Sequence, residues 1–331
     1  MSTTRFVSNG SEVALAADVA RAGPAGVARL SPGWRSPSQC ACRVALAAAI
    51  LLLLAPVVAL ADGARHTLWA VQGRHNTVYL LGSVHVLKPA DSALPVEAQA
   101  AYSRAHTLVM EVALDDAALP DTVQASMLAQ GMLPEGQTLE GVLGAALYAR
   151  LKAQAAALGL NAQLVNRFQP WLAAMALQQA QLSRAGYDPG AGVDMQFAVR
   201  AQADRKSVIG LETLEEQLGF FSQLPLEQQR ELLRQTLDEV AQGDAEVEEI
   251  VTAWKLGDTR RLDKVLEESR RQSPDLFRLL TTERNRRWLP RIVALLGEEQ
   301  DCLVIVGAMH LVGAEGLVEL LQKQGYRAVQ E

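Results

Sequence analysis

The chain has 331 residues, a net charge of −6, a hydrophobic fraction of 49% and an aromatic fraction of only 5%. That much apolar material supports a sizeable core and excludes disorder as the general state. The acidic balance and the scarcity of rings argue against a nucleic-acid partner, because phosphates are repelled and bases find few stacking platforms.

Residues 1–43 are rich in Ala, Ser, Gly and Pro and carry no helical or strand period, which reads as a disordered extension. Residues 44–61, VALAAAILLLLAPVVALA, contain no charge. Arg35 and Arg43 precede this run, and Ala59-Leu60-Ala61 closes it with a small-x-small pattern. The segment reads as a secretory signal cleaved after Ala61, and it is also long enough to act as a membrane anchor. The expected location of residues 62–331 is therefore periplasmic or secreted, with an uncleaved segment 44–61 as a tether to the inner membrane. Cys40 and Cys42 precede the apolar core, so cleavage leaves Cys302 alone and no disulfide framework. Cys302 opens an apolar run and reads as a small core residue rather than a nucleophile.

Thr67–Gln72 and Thr77–Leu81 have strand character, and Gly73–Asn76 between them is a turn signal, so the pair predicts a β-hairpin. A short helix over Val96–Arg104 and a strand over Thr107–Glu111 follow. Thr138 is placed to cap a helix running to about Leu158, with Gly159 as its stop. Pro170–Ala185 is helical in period, and Gly186–Gly192 is a loop. Asp194 reads as the N-cap of a helix over Met195–Ala203, with a partner to a site histidine as the alternative. Ser207–Leu211 is strand-like.

Amphipathic helices are expected over Leu226–Val240, Ala245–Leu256 and Thr259–Ser269, then a longer one over Asp275–Leu296 that Pro290 kinks or splits near Arg287. The cluster Arg284, Arg286, Arg287 and Arg291 on that helix reads as a solvated face. Cys302–Gly307 is a continuous apolar run, the mark of a buried central strand. A helix over Gly313–Gln324 and a strand over Tyr326–Val329 end the chain. Strands interleaved with helices imply an α/β fold with a central, mostly parallel mixed sheet, flanked by helices and carrying a large helical insertion.

Two segments of the chain resemble each other. Leu80-Leu-Gly-Ser-Val-His-Val-Leu87 parallels Ile305-Val-Gly-Ala-Met-His-Leu-Val312, and both stand where a strand meets a loop. Glycine allows a sharp turn or a close approach, and a histidine three residues later supplies a donor, acceptor or metal ligand. In open α/β sheets ligands bind beyond the carboxyl ends of the strands. Four polar residues fall at such ends: His85, Glu111, Glu212 and His310. A glutamate ending an apolar strand must be paired, hydrogen-bonded or solvated. Glu212 has a second reading, since Gly210-Leu-Glu-Thr213 can simply cap the next helix. Arg284 either lies on the surface or reaches into the cleft as an anion clamp.

Two imidazoles with one or two carboxylates can hold a divalent transition metal and activate water. Without metal, a Glu–His pair can serve as general base. Neither a Gly-x-Ser-x-Gly elbow nor a His-Glu-x-x-His helix is present, and Walker and dinucleotide glycine patterns are absent. Strand alternation is taken to turn Ser83 away from His85, so a Ser83 nucleophile activated by that histidine is not expected.

Leu68-Trp69, Tyr79–His85, Val109-Met-Glu111, Gly192-Val-Asp194, Gly210–Thr213, Glu283-Arg-Asn285 and Gly307–His310, in this order over residues 67–329, resemble the TraB/GumN family. The resemblance implies a fold similar to the erythromycin esterase and ChaN-like group, and kinship with the Tiki metalloproteases. Those enzymes use two Gly-x-x-His motifs and a glutamate with a divalent metal such as manganese or cobalt. By that resemblance the metal ligands here are His85, Glu111 and His310; zinc also suits such donors, and the strand-end and cleft readings above make Glu111, Glu212 and Arg284 the catalytic candidates. The functional expectation is an exported metal-dependent hydrolase acting on a peptide or a small ester or amide. The alternatives are a metal-free esterase-like hydrolase and a non-catalytic binding protein for haem, a peptide signal or a polysaccharide-export role.

Overall fold

The computed structural model describes residues 65–113 and 120–331. The expected extension 1–43 and signal or anchor 44–61 lie outside the described residues. Among the described residues no helix is long and apolar enough to cross a membrane.

Six strands form one mixed sheet: β1 (Leu68–Gln72), β2 (Thr77–Ser83), β3 (Thr107–Val112), β4 (Ser207–Glu212), β5 (Cys302–Gly307) and β6 (Ala328–Gln330). Their spatial order is β4-β3-β5-β2-β1-β6. The hairpin β1–β2 is antiparallel, as its turn signal predicts, and β6 adds antiparallel to β1. The four neighbours β4, β3, β5 and β2 are all parallel. β5 lies between β3 and β2, and Leu303, Val304, Ile305 and Val306 are fully buried. Their unbroken apolar run suits a strand covered on both faces.

The expected helical insertion is present and has two parts, because β4 interrupts it. Some of its helices face the sheet: Val193–Asp204 contributes Val193, Phe197 and Ala201 to the sheet's core, and Glu283–Leu295 contributes Trp288 and Ile292. Others pack on one another around Leu139, Leu151, Trp171, Leu177, Leu233 and Leu237, which form a second core away from the sheet.

Three helix boundaries differ from expectation. Thr138 does cap a helix, accepting from the Gly141 N–H, but the chain breaks at Gly144, whose φ of 75° belongs to glycine, giving Leu139–Leu143 and Ala145–Ala157. The long helix over Asp275–Leu296 is interrupted upstream of Arg287, by a π-helical turn at Arg278–Thr282, and Pro290 is accommodated inside Glu283–Leu295. A π turn adds a residue to the ladder and resets the phase of the downstream turns. Those turns bury Arg284, Asn285, Trp288 and Ile292. The last helix starts only at Leu317: Gly313 has φ 79°, and Gly316 approaches the Val312 carbonyl so closely that its Cβ would stand 2.3 Å from the oxygen.

Candidate active site

Parallel strands end on the same edge of a sheet. β4, β3, β5 and β2 therefore deliver Glu212, Glu111, His310 and His85 to one edge in that lateral order. Ser83 pairs with Gly307 across β2–β5, so the two Gly-x-x-His motifs leave the sheet almost in register. The second turns through a short 3-10 helix, Ala308–His310. All four predicted residues thus stand at the carboxyl edge, and Arg284 enters the same site from the helix after the π turn. Glu111, Glu212, Arg284 and His310 are buried, whereas the His85 side chain is 65% exposed and forms the accessible lip.

The His310 ring is fixed on both nitrogens. The Asn285 amide Nδ2 donates to two carbonyls, those of His310 (3.1 Å) and Glu315 (2.9 Å). Its Oδ1 must then be the atom facing His310 Nδ1 at 2.7 Å, so Nδ1 carries the hydrogen and Nε2 keeps its lone pair. That lone pair accepts from Arg284 Nη1 at 3.2 Å and lies 3.9 Å from Glu111 Oε1. Burial pushes the His310 imidazole down to about 4, with the Arg284 charge adding to the effect, so the ring is neutral at neutral pH.

His85 is oriented by Asp194. Its Nδ1–H donates to Asp194 Oδ2 at 2.9 Å, and Asp194 Oδ1 accepts from Ser83 Oγ at 2.8 Å. The Asp194 carboxylate pushes His85 up to about 9, with Glu111 adding to the rise. Gly192 caps the helix Val193–Asp204 through its backbone, and Asp194 makes no cap. The N-cap reading of Asp194 is thus corrected in favour of a histidine partner. The chain makes Asp194 available because the helix starts flush against β2, with the Val193 N–H on the Val84 carbonyl at 3.0 Å. Ser83 and His85 are two residues apart and meet the same carboxylate, so they lie on one side of the chain and not on opposite faces as expected. Ser83 is nevertheless no His85-activated nucleophile, since its hydroxyl donates to Asp194.

Arg284 joins the two glutamates. Its Nη2 donates to Glu111 Oε2 and to Glu212 Oε1, both at 2.6 Å, and its Nε to Glu212 Oε2 at 3.2 Å. The guanidinium stacks over the Trp288 ring at 4.5 Å, and Trp288 Nε1–H also donates to Glu212. Gln217 Nε2 bridges the two carboxylates at 3.3 and 3.2 Å. Burial works to raise Glu111, but the charges of His310 and Arg284 and the Gly307 N–H outweigh it and hold the carboxyl down at about 2. With His310 neutral, the charges of Arg284 and His85 and the Gly307 N–H, 2.7 Å from Oε1, carry that effect at neutral pH. Burial raises Glu212, against its bonds to Arg284. Arg284 therefore does not belong to a solvated face, whereas Arg286 pairs with Glu315 and Arg287 lies over Phe220.

These groups converge on Gly307. A Cβ there would lie 3.4 Å from Glu111 Oε1, 3.6 Å from His310 Cδ2 and 3.7 Å from His85 Nε2. Each imidazole is held through Nδ1, by Asp194 or Asn285; His85 turns Nε2 to this small space, and His310 its Cδ2 edge, with Nε2 on Arg284. This outer-shell pattern is the one that holds metal-ligating histidines in one tautomer, so the donor set suits a divalent ion. As the side chains stand, no three His, Cys, Asp or Glu groups among the described residues are spaced to hold one. Beside Glu212 a cleft of about 490 Å³ opens, lined by Val112, Gly210, Thr213 and Arg291 among others.

Sequence reasoning did not assign roles to Asn285, Gln217 or Trp288. Asn285 lay beside Arg284 in a motif, which is a signal of a kind. Gln217 and Trp288 sit in ordinary helical patterns and offered none. Thr213 and Glu216 form the capping box of the helix Leu214–Ser222, so the cap expected near Glu212 exists and leaves Glu212 free for the site.

The model of the TraB/PrgY/gumN family matches residues 67–330. The uncharacterized protein YbaP of Escherichia coli (strain K12) is 27% identical over 270 residues, covering 77% of this chain and 97% of that protein. An uncharacterized protein of Treponema pallidum (strain Nichols) is 24% identical over 316 residues, covering 87% of this chain and 93% of its own length. Metalloprotease TIKI1 of Danio rerio is 25% identical over 315 residues, covering 78% of this chain and 62% of that protein. No solved structure gives a significant match.

Proposed function

The chain belongs to the TraB/PrgY/gumN family, and from that premise we propose that it is a hydrolase of amide or ester bonds in which His85, Glu111 and His310 hold a divalent metal. The observation that carries this reading is the pair of imidazoles from separate strand ends, each tied through Nδ1 and both gathered with Glu111 Oε1 around Gly307. Manganese, cobalt or zinc suits two imidazoles and a carboxylate. When bound, such an ion supplies a Lewis acid for the scissile carbonyl. Arg284 offers N–H donors to negative charge developing on the substrate. Proton transfer falls to Glu212, which burial raises, rather than to Glu111, which is held down at about 2 and is taken up by the metal. The exposed His85 and the cleft beside Glu212 leave room for an extended substrate, and similarity to a relative named as a metalloprotease favours a peptide.

The test is elemental analysis of the purified protein beside hydrolysis of a peptide library and of small esters. The reading requires bound metal, turnover that a chelator removes, and loss of both in His85→Ala and His310→Ala. Full turnover in excess chelator overturns it. That result would support a second reading, a metal-free esterase-like site, which the Asp194–His85 pair on the exposed lip favours; Asp194→Asn would then abolish turnover. Export is part of the proposal and is supported by the uncharged run 44–61. Protein recovered from the periplasm should begin at Asp62, and unprocessed chain confined to the cytoplasm would overturn this.

A further inference from the structure

Arg284 occupies the position toward which the ligand nitrogen of His310 points. Asn285 fixes the Nδ1–H of that ring, so Nε2 holds its one uncommitted lone pair, and Arg284 Nη1 donates to it at 3.2 Å. A lone pair directed at an N–H cannot also bind a metal ion. The same guanidinium donates to Glu111 Oε2 at 2.6 Å. Two of the three groups that the metal reading needs are therefore engaged by one side-chain cation. A divalent ion held by His310 and Glu111 would have to share these two groups with that charge, and like charges in direct competition for the same ligands repel strongly even in a well-screened protein site.

Glu212 is different. Arg284 meets it side-on through two separate bonds, Nε to Oε2 at 3.2 Å and Nη2 to Oε1 at 2.6 Å. A two-point carboxylate pair of this kind is directional and holds the arginine on its own. Stacking on Trp288 at 4.5 Å, a ring that also packs against His310 at 4.6 Å, adds a second support that uses neither the Glu111 carboxylate nor the His310 lone pair. The guanidinium can thus release two partners without becoming an unpaired buried charge.

Resting on the metallohydrolase reading above, we propose that Arg284 is a resident cation that a divalent metal displaces from His310 and Glu111, with Glu212 retaining the guanidinium once they are released. Metal-free protein is then self-neutralised at its site, and metal uptake is weaker than the ligand set alone would make it. Arg284 acts as a positioning residue that sets the affinity of the site.

The experiment is calorimetric titration of the full-length protein with Mn²⁺ for wild type, Arg284→Gln and Arg284→Lys, with circular dichroism to confirm folding. Removing the competitor should tighten Mn²⁺ binding at least about tenfold in Arg284→Gln, a conservative value for the loss of one nearby charge. Arg284→Lys keeps the charge but loses the fork, and should fall between the two. If the glutamine variant does not fold, the lysine variant decides by the same criterion. Equal or weaker binding in the folded variants overturns the proposal while leaving a metal-binding wild type intact. Uptake by a variant but not by wild type overturns displacement as well as the metalloenzyme reading, because the guanidinium then blocks the site outright. No uptake by any form overturns both.

Discussion

Gly192 lies against the backbone of His85: a Cβ on Gly192 would stand 2.2 Å from the His85 carbonyl oxygen. This approach seats the helix Val193–Asp204 on the end of β2 and brings Asp194 to Ser83 and His85. The glycine is needed for space, because its φ of −60° is open to any residue. Gly192→Ala should therefore push the helix off the strand. The expected cost is about 1–3 kcal/mol, as for overpacking elsewhere. Chemical denaturation measures it, and an unchanged midpoint would show that the contact relaxes freely.

Asp194→Asn isolates the electrostatic part. Asp194 is the main cause of the rise of His85 to about 9, so the variant should return His85 toward its ordinary 6.5. An NMR titration of the ring protons reads this directly. The raised value also links to stability: the native state holds the proton more tightly than the unfolded chain. The contribution is complete below pH 6.5 and is lost as pH rises to about 9. The exposure of His85 makes it small. In Asp194→Asn this alkaline slope should disappear.

His310 has the opposite sign. Its folded value of about 4 lies below 6.5, so between these pH values the unfolded chain binds a proton that the native ring refuses. In metal-free protein, stability from this residue is complete above pH 6.5 and is lost as pH falls toward 4. Denaturation midpoints measured across that window should drop with acidification in wild type and drop less in His310→Gln. Equal slopes in the two proteins would mean that the ring is charged in the fold.

Gly307→Ala separates site from fold. The added methyl meets Glu111, His310 and His85 at 3.4–3.7 Å, which is ordinary contact, and the φ of −49° suits alanine. Stability should change by no more than about 1 kcal/mol, the size of a glycine-to-alanine effect at a compatible backbone position. The methyl nonetheless fills the space between the three proposed ligands, so Mn²⁺ uptake and hydrolysis should fall together. Undiminished metal binding in a folded Gly307→Ala protein would place the ion elsewhere.

Much of this arrangement was legible without coordinates, for a specific reason. Strands of a parallel sheet share a carboxyl edge, so a polar residue at the end of each apolar run is assigned to that edge by local pattern alone. This held for His85, Glu111, Glu212 and His310, and for the hairpin and the buried strand β5. Where a residue's role depends on which lone pair or oxygen it meets, local pattern fails. Asp194 reads as a cap or as a histidine partner until the helix is seen to start at Val193, and Arg284 reads as a surface residue or a cleft clamp until the helix after the π turn is seen to bury it.

The sequence by itself determined the strands, the α/β class and the set of residues at the functional edge, because alternation, apolar runs and glycine positions are properties of neighbours along the chain. Only the tertiary structure decided the lateral order Glu212–Glu111–His310–His85, the tautomer of each imidazole and the engagement of His310 by Arg284. Those depend on strand order and on contacts between residues as far apart as Glu111 and Arg284, which long-range packing alone brings within hydrogen-bonding distance.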